Sequence, residues 1–161
     1  MDLSVAVPVY NEEENVEPLI REINGVLETL GKSYEIIVVD DGSRDRTFAA
    51  LSKLHREQPA MKVVRLKRNF GQTAALAAGL AHARGEIVIL MDGDGQNDPA
   101  DIPALLAKLA EGNDLVAGEL GKVLIKKTAG ATWQSAVKLG VLTTVLDDIV
   151  AAYSRLLDAR E

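Results

Sequence analysis

Asp92 and Asp94 stand two residues apart in ILMDGDGQNDP, directly after an apolar run. A carboxylate at the mouth of a buried strand is costly unless it is paired, hydrogen-bonded or bound to a cation. Two hard oxygen donors at this spacing suit Mg²⁺ or Mn²⁺ held jointly with substrate phosphates. Gly93 and Gly95 let a ligand approach the backbone. The competing reading is an Asp-Gly turn with solvated carboxylates, and a D-x-D alone does not separate the two.

A second acidic pair, Asp40-Asp41, ends the run YEIIVV. A carboxylate at a strand end can accept hydrogen bonds from a ribose hydroxyl or a base N–H. Helix capping is the alternative job, but Ser43 and Asp45 already supply caps, which leaves Asp40 and Asp41 for a ligand. Lys67-Arg68-Asn69-Phe70-Gly71-Gln72 opens an alanine-rich segment with two cations beside a helix N-terminus, both attractive to phosphate. Solvated surface charge is the plainer account of Lys67 and Arg68. The sequence has no Walker A loop, no complete G-x-G-x-x-G and no G-x-S-x-G elbow, which disfavours P-loop, dehydrogenase and hydrolase chemistry.

These residues need a frame that brings them to one edge. Runs of β-branched residues at 3–7, 34–39, 62–66 and 86–91 alternate with helical patterns, the signature of a mostly parallel sheet covered by helices. The runs are apolar almost throughout, so the strands are buried on both faces. Helices are expected over 12–30, after an Asp45 cap up to Pro59, over 71–84, and over 99–110 with Pro99 and Asp101 in the first turn. DLVA at 114–117 reads as a fifth strand. The loops after the first, second and fourth strands carry Pro8 to Glu13, Asp40 to Thr47 and Asp92 to Pro99, and ligands bind at that edge of an open α/β sheet.

The 161 residues carry a net charge of −6 and are 47% hydrophobic and 26% charged, an ordinary balance for one domain with its own core. Absence of cysteine removes disulfides, thiolate catalysis and cysteine-ligated metals. His55 and His82 are read as surface or boundary residues. The acidic balance argues against nucleic acid as a partner. The first residues lack a basic n-region, and no window reaches 18 uncharged apolar residues, which together point to the cytoplasm. Residues 121–128 are read as strand or loop, and 132–146 and 147–159 as one broken helix or two.

In order and spacing, VPVYNEEEN, VVDDGSRDRT, RLKRNFGQTAALAAGL and ILMDGDGQNDP resemble the inverting family 2 glycosyltransferases of GT-A fold, among them the polyprenyl-phosphate sugar transferases. The resemblance covers residues 1 to about 118. It implies a Rossmann-like α/β domain in which Pro8, Tyr10 and Glu12 line the base and ribose of a nucleotide-sugar, and Asp40 and Asp41 hold the base or ribose edge. Lys67, Arg68 and Gly71 would attend the phosphates. Asp92 and Asp94 match the family's D-x-D, with Gln96 as a further metal or phosphate contact, and Mg²⁺ or Mn²⁺ as the cofactor. The implied acceptor is a polyprenyl phosphate, and with it comes a peripheral contact to the inner face of a membrane.

After Gly118 the family's basic segment does not follow, so residues 119–161 are expected to form a divergent, mainly helical extension on a 1–118 domain. Lys122, Lys126 and Lys127 are the nearby cations that stand where the missing ones would, and read most simply as a solvated cluster. The extension's apolar face is open to pairing with a second chain. The competing reading of the whole chain is a nucleotide-binding or structural module without an acceptor site and without catalysis.

Overall fold

The apolar runs become the centre of one sheet. In the computed structural model, which describes residues 1–96, 98–118 and 122–126, four strands are parallel: β1 (Leu3–Val9), β2 (Tyr34–Asp40), β3 (Met61–Arg65) and β4 (Ile87–Leu90). β5 (Leu115–Ala117) and β6 (Val123–Lys126) complete the order β3-β2-β1-β4-β6-β5. β6 runs antiparallel to both neighbours, with Leu90 opposite Val123 and Ala117 opposite Val123. The parallel-dominated α/β architecture expected from the sequence is therefore the one observed.

All seven residues of β1 are buried, which explains why its sequence is not alternating. Leu3, Val5, Val7 and Val9 face a layer built by α1 (Val16–Thr29), α2 (Thr47–Glu57) and α4 (Ile102–Ala110). Ala6 faces the opposite layer, made by α3 (Gln72–His82) with Ile37, Val39, Val88 and Leu90. The small residues of α3 let it sit close to the sheet, since a Cβ on Gly79 would lie 3.0 Å from that of Ala6. Both histidines are exposed, as expected.

Helix starts differ from the periodicity. α1 begins at Val16 rather than residue 12, because Asn11 takes a left-handed φ of 52° and the 10–15 segment spends its polar groups on a neighbouring loop. The N-cap of α2 is Arg46 rather than the expected Asp45, whose carboxylate instead accepts from the N–H and hydroxyl of Thr47 just inside the helix. Burial opposes that charge, but these hydrogen bonds hold the Asp45 carboxyl below the ordinary carboxylate range. A 3₁₀ turn, Pro99–Asp101, precedes α4, and Asp98 caps it by accepting from Ala100 N–H at 2.9 Å.

At the edge away from the ligand-binding loops, Glu35 is 2% exposed. Its carboxylate accepts from Ser4 Oγ at 2.7 Å, Lys62 Nζ at 2.6 Å and the backbone N–H of Arg84 at 2.8 Å. This cluster takes the N–H of Arg84 directly after α3, where the chain turns extended at Ala83.

Two readings of the later chain are decided. Of the two alternatives for 121–128, strand is the one observed over 123–126, and β6 inserts between β4 and β5, so the sheet continues past Gly118. Lys122 is not a solvated cation: it is fully buried, and its Nζ lies 3.0 Å from Asp101 Oδ2, where a buried ammonium finds the partner it needs. Lys126 is exposed. The helices expected over 132–159 and the Lys127 cation lie outside the described residues.

Candidate functional site

The C-terminal ends of β1, β2 and β4 meet at a cleft of about 330 Å³. Two loops beside it are stitched together. Asn11 N–H donates to Ser43 Oγ at 2.9 Å, Glu12 N–H to Thr47 Oγ1 at 2.8 Å, and Arg44 N–H to Asn11 Oδ1 at 2.9 Å. These bonds satisfy the backbone of each loop with side chains of its neighbour, so the first and second loops are tied to each other.

Gly42 sits in this seam at φ 71°. A Cβ there would fall onto the Arg68 carbonyl carbon, 2.6 Å from Arg68 Cα and 2.7 Å from Asn69 N. Gly42→Ala is therefore expected to destabilise the chain by about 2 kcal/mol, from left-handed strain plus displacement of the 67–71 loop. A chemical-denaturation midpoint equal to the wild type's would contradict this packing.

The cleft is lined by Pro8, Tyr10, Glu12, Asp41, Gly71, Asp92 and Asp94 among the residues singled out from sequence. Asp92 is 9% exposed, whereas Asp94 is exposed and accepts from Gln96 N–H at 3.0 Å. Tyr10 is 39% exposed on the rim. Asp40, Lys67, Arg68 and Gln96 are not part of this lining. Gln96 lies beyond Asp94 beside a second, more open groove along α1, and Lys67 and Arg68 are exposed, Arg68 resting over the Phe70 ring at 4.7 Å.

The two acids at the end of β2 do have structural jobs, contrary to the reading that found none for them. Asp40 is fully buried; its Oδ1 accepts from Ser43 N–H at 2.9 Å, and its Oδ2 makes no hydrogen bond but lies 3.4 Å from Arg65 Nε. Asp41 accepts from Phe70 N–H at 2.8 Å and Gly71 N–H at 3.0 Å, which fixes the start of α3. Asp41 reaches the cleft while doing so.

Two polar lining residues, Asn69 and Gln72, were missed from sequence, as were the apolar Val9 and Ala75. Gln72, the first residue of α3, donates its side-chain amide to Asp92 Oδ1. Gly93 was noted for ligand access, but its smallness has a structural cause as well, since a Cβ would lie 2.6 Å from the Pro8 carbonyl oxygen.

The cleft lies at the carboxyl edge of a parallel sheet, the edge where open α/β sheets take ligands, and an Asp-Gly-Asp loop forms one wall of it. The glycosyl transferase family 2 model matches residues 4–135, and the chain belongs to that family. The match runs further than the expected limit near Gly118. Over 120 residues the chain is 44% identical to a dodecaprenyl-phosphate galacturonate synthase of Rhizobium johnstonii, covering 73% of this chain and 36% of that protein. Over 116 residues it is 46% identical to an undecaprenyl-phosphate 4-deoxy-4-formamido-L-arabinose transferase of an Enterobacter species, covering 71% and 35%. The chain thus spans about a third of the length of these relatives.

Among solved structures, a glucosyl-3-phosphoglycerate synthase of Mycobacterium tuberculosis holding Mn²⁺, UDP and phosphoglyceric acid superposes with a TM-score of 0.57 at 29% identity, over 71% of this chain and 40% of that one. A mannosyltransferase of Pyrobaculum calidifontis in complex with GDP-mannose and Mn²⁺ superposes with a TM-score of 0.51 at 31% identity, over 57% and 27%.

Proposed function

We propose that this chain carries the donor site of a metal-dependent, inverting glycosyltransferase. The donor is a nucleotide-sugar of the UDP-glucose or GDP-mannose type, and the acceptor is a polyprenyl phosphate in glycan biosynthesis. One observation carries the reading: Asp92 and Asp94 share a cleft with Pro8, Tyr10, Glu12 and Asp41, brought there from three separate loops.

The donor set fits a divalent cation. Asp92 and Asp94 offer hard carboxylate oxygens, and among the described residues no three acidic or histidine side chains converge to hold a metal by themselves. Mg²⁺ or Mn²⁺ would therefore share its coordination with diphosphate oxygens. Such an ion, held by Asp92 and Asp94, would supply the positive charge that a departing nucleoside diphosphate needs, the main electrostatic demand of glycosyl transfer.

The chain's own groups do the rest. Pro8 and Tyr10 present apolar surface to the base, and Glu12 and Asp41 offer acceptors to ribose hydroxyls or base N–H groups. Asp40 supports the neighbouring loop from inside the sheet, and Lys67 and Arg68 add positive potential at the entrance. A polyprenyl phosphate oxygen is already ionised, so its attack needs no strong protein base. Among the described residues no helix is long and apolar enough to cross a membrane.

Calorimetric titration of UDP and of GDP, first with Mn²⁺ and then with EDTA, tests the reading. The expected result is saturable binding of one nucleotide that weakens at least tenfold in EDTA. Failure of both nucleotides to bind would overturn the donor site, and binding without sugar transfer to a short prenyl phosphate would favour the inactive module.

A further inference from the structure

Gln72 belongs to neither acidic loop, yet it is the side chain that reaches from α3 to the Asp92 carboxylate. Its own position is set by Asp41, whose two carboxylate oxygens accept from the N–H groups of Phe70 and Gly71, the residues directly before it. Gly71 adopts φ 97° at the N-cap of α3, and the helix starts with Gln72 at its first position. Hydrogen bonds at either end of the Phe70–Gln72 segment therefore link Asp41, directly after β2, to Asp92, two residues past β4.

We infer that Gln72 is a positioning residue for Asp92, holding one carboxylate oxygen so that the group is presented to the cation in one orientation. The inference rests on the donor-site reading and goes beyond it, by giving a neutral side chain on another element control over the cation's affinity. A glutamine suits the task. Its amide donates to a carboxylate without adding a charge that would compete with the cation, and supporting groups of this kind typically change metal affinity about 10- to 100-fold when removed. Gln72 is itself exposed at the helix start, so the bond is not needed to fill the core.

Gln72→Met keeps the length and loses the donor. The measured quantity is the ratio of the UDP or GDP Kd in EDTA to that in Mn²⁺, together with the thermal midpoint. The expected result is a ratio lowered about tenfold, with a midpoint within about 2 °C of the wild type, since exposed substitutions cost little stability. Gln72→Asn, which keeps the amide on a shorter arm, is expected to fall between the two. A Gln72→Met ratio equal to the wild type's, while Asp92→Asn loses its metal dependence, overturns the inference and leaves the donor site standing. No Mn²⁺-dependent binding by the unaltered chain overturns the donor site and this inference together.

Discussion

Asp92→Asn is expected to weaken Mn²⁺-supported nucleotide binding on the order of 100-fold while leaving the fold intact. The estimate follows from rank: removing a mere supporting group around a metal costs 10- to 100-fold, so removing a ligand belongs at or above the top of that range. Asparagine is preferred to alanine because it keeps the volume beside Gly93 and the acceptor for the Gln72 amide, and discards only the charge. Asp94→Asn should weaken binding in the same assay. Its side chain is exposed and anchored only to the Gln96 N–H in the local hydrogen bonding described above, so its loss perturbs the surrounding loops less. Titration of the favoured nucleotide in Mn²⁺ decides the matter, and an Asp92→Asn affinity equal to the wild type's would remove this carboxylate from the cation site.

Glu35→Ala is expected to lower stability by about 3 kcal/mol, the low end of what breaking a buried ion pair costs. The low end applies because Lys62 and Arg84 are 39% and 59% exposed at their side chains and remain solvated when the acid is removed. Ser4 Oγ and the Arg84 N–H would lose a buried acceptor. The thermal midpoint should fall by roughly 6–10 °C for a domain of this size.

Acid adds a second check. Burial alone would raise the Glu35 carboxyl, but hydrogen bonds from Lys62, Ser4 and the Arg84 backbone outweigh it and hold the group below its ordinary value of 4.5. A folded pKa below the unfolded one means the stabilisation is present in full above the unfolded value and is lost as pH falls through the folded value. The stability gap between wild type and Glu35→Gln should thus be flat near neutrality and close below about pH 4.5. A gap unchanged down to pH 3 would show that the charge contributes nothing.

β1, β2 and β4 were legible because chain buried on both faces must be largely apolar, as Leu3 to Val9 and Ile36 to Val39 are; β3, at the sheet edge, is buried only at Met61 and was legible from its β-branched pair alone. β6 was legible only as strand or loop, because four residues flanked by lysines carry too little pattern to choose, and its place is decided by the open edge of β4 rather than by its own propensity. The same gap hid Lys122, whose burial depends on a partner, Asp101, 21 residues earlier. At the site, residues at the carboxyl ends of strands were found by type and position. Adjacent acids proved harder to divide: neighbours along an extended chain point to opposite sides, so Asp41 reaches the cleft while Asp40 turns inward. In the β3–α3 loop, charge drew notice to Lys67 and Arg68, although the neutral Asn69 and Gln72 are the ones that line the cleft. Neutral amides leave no mark in a composition or a period.

The insertion of β6 between β4 and β5 carries a consequence for how the chain is made. During synthesis, residues through Ala117 are complete before 123–126 exist, and β4 then offers a bare row of N–H and C=O groups. β5 points the same way as β4, since both oppose β6, and a β4–α4–β5 crossover is an ordinary parallel unit that can occupy the vacant slot. Until 123–126 are placed, β5 and β6 are therefore rival neighbours for one edge, and the observed order is reached only if β6 pairs with β4 first or displaces β5.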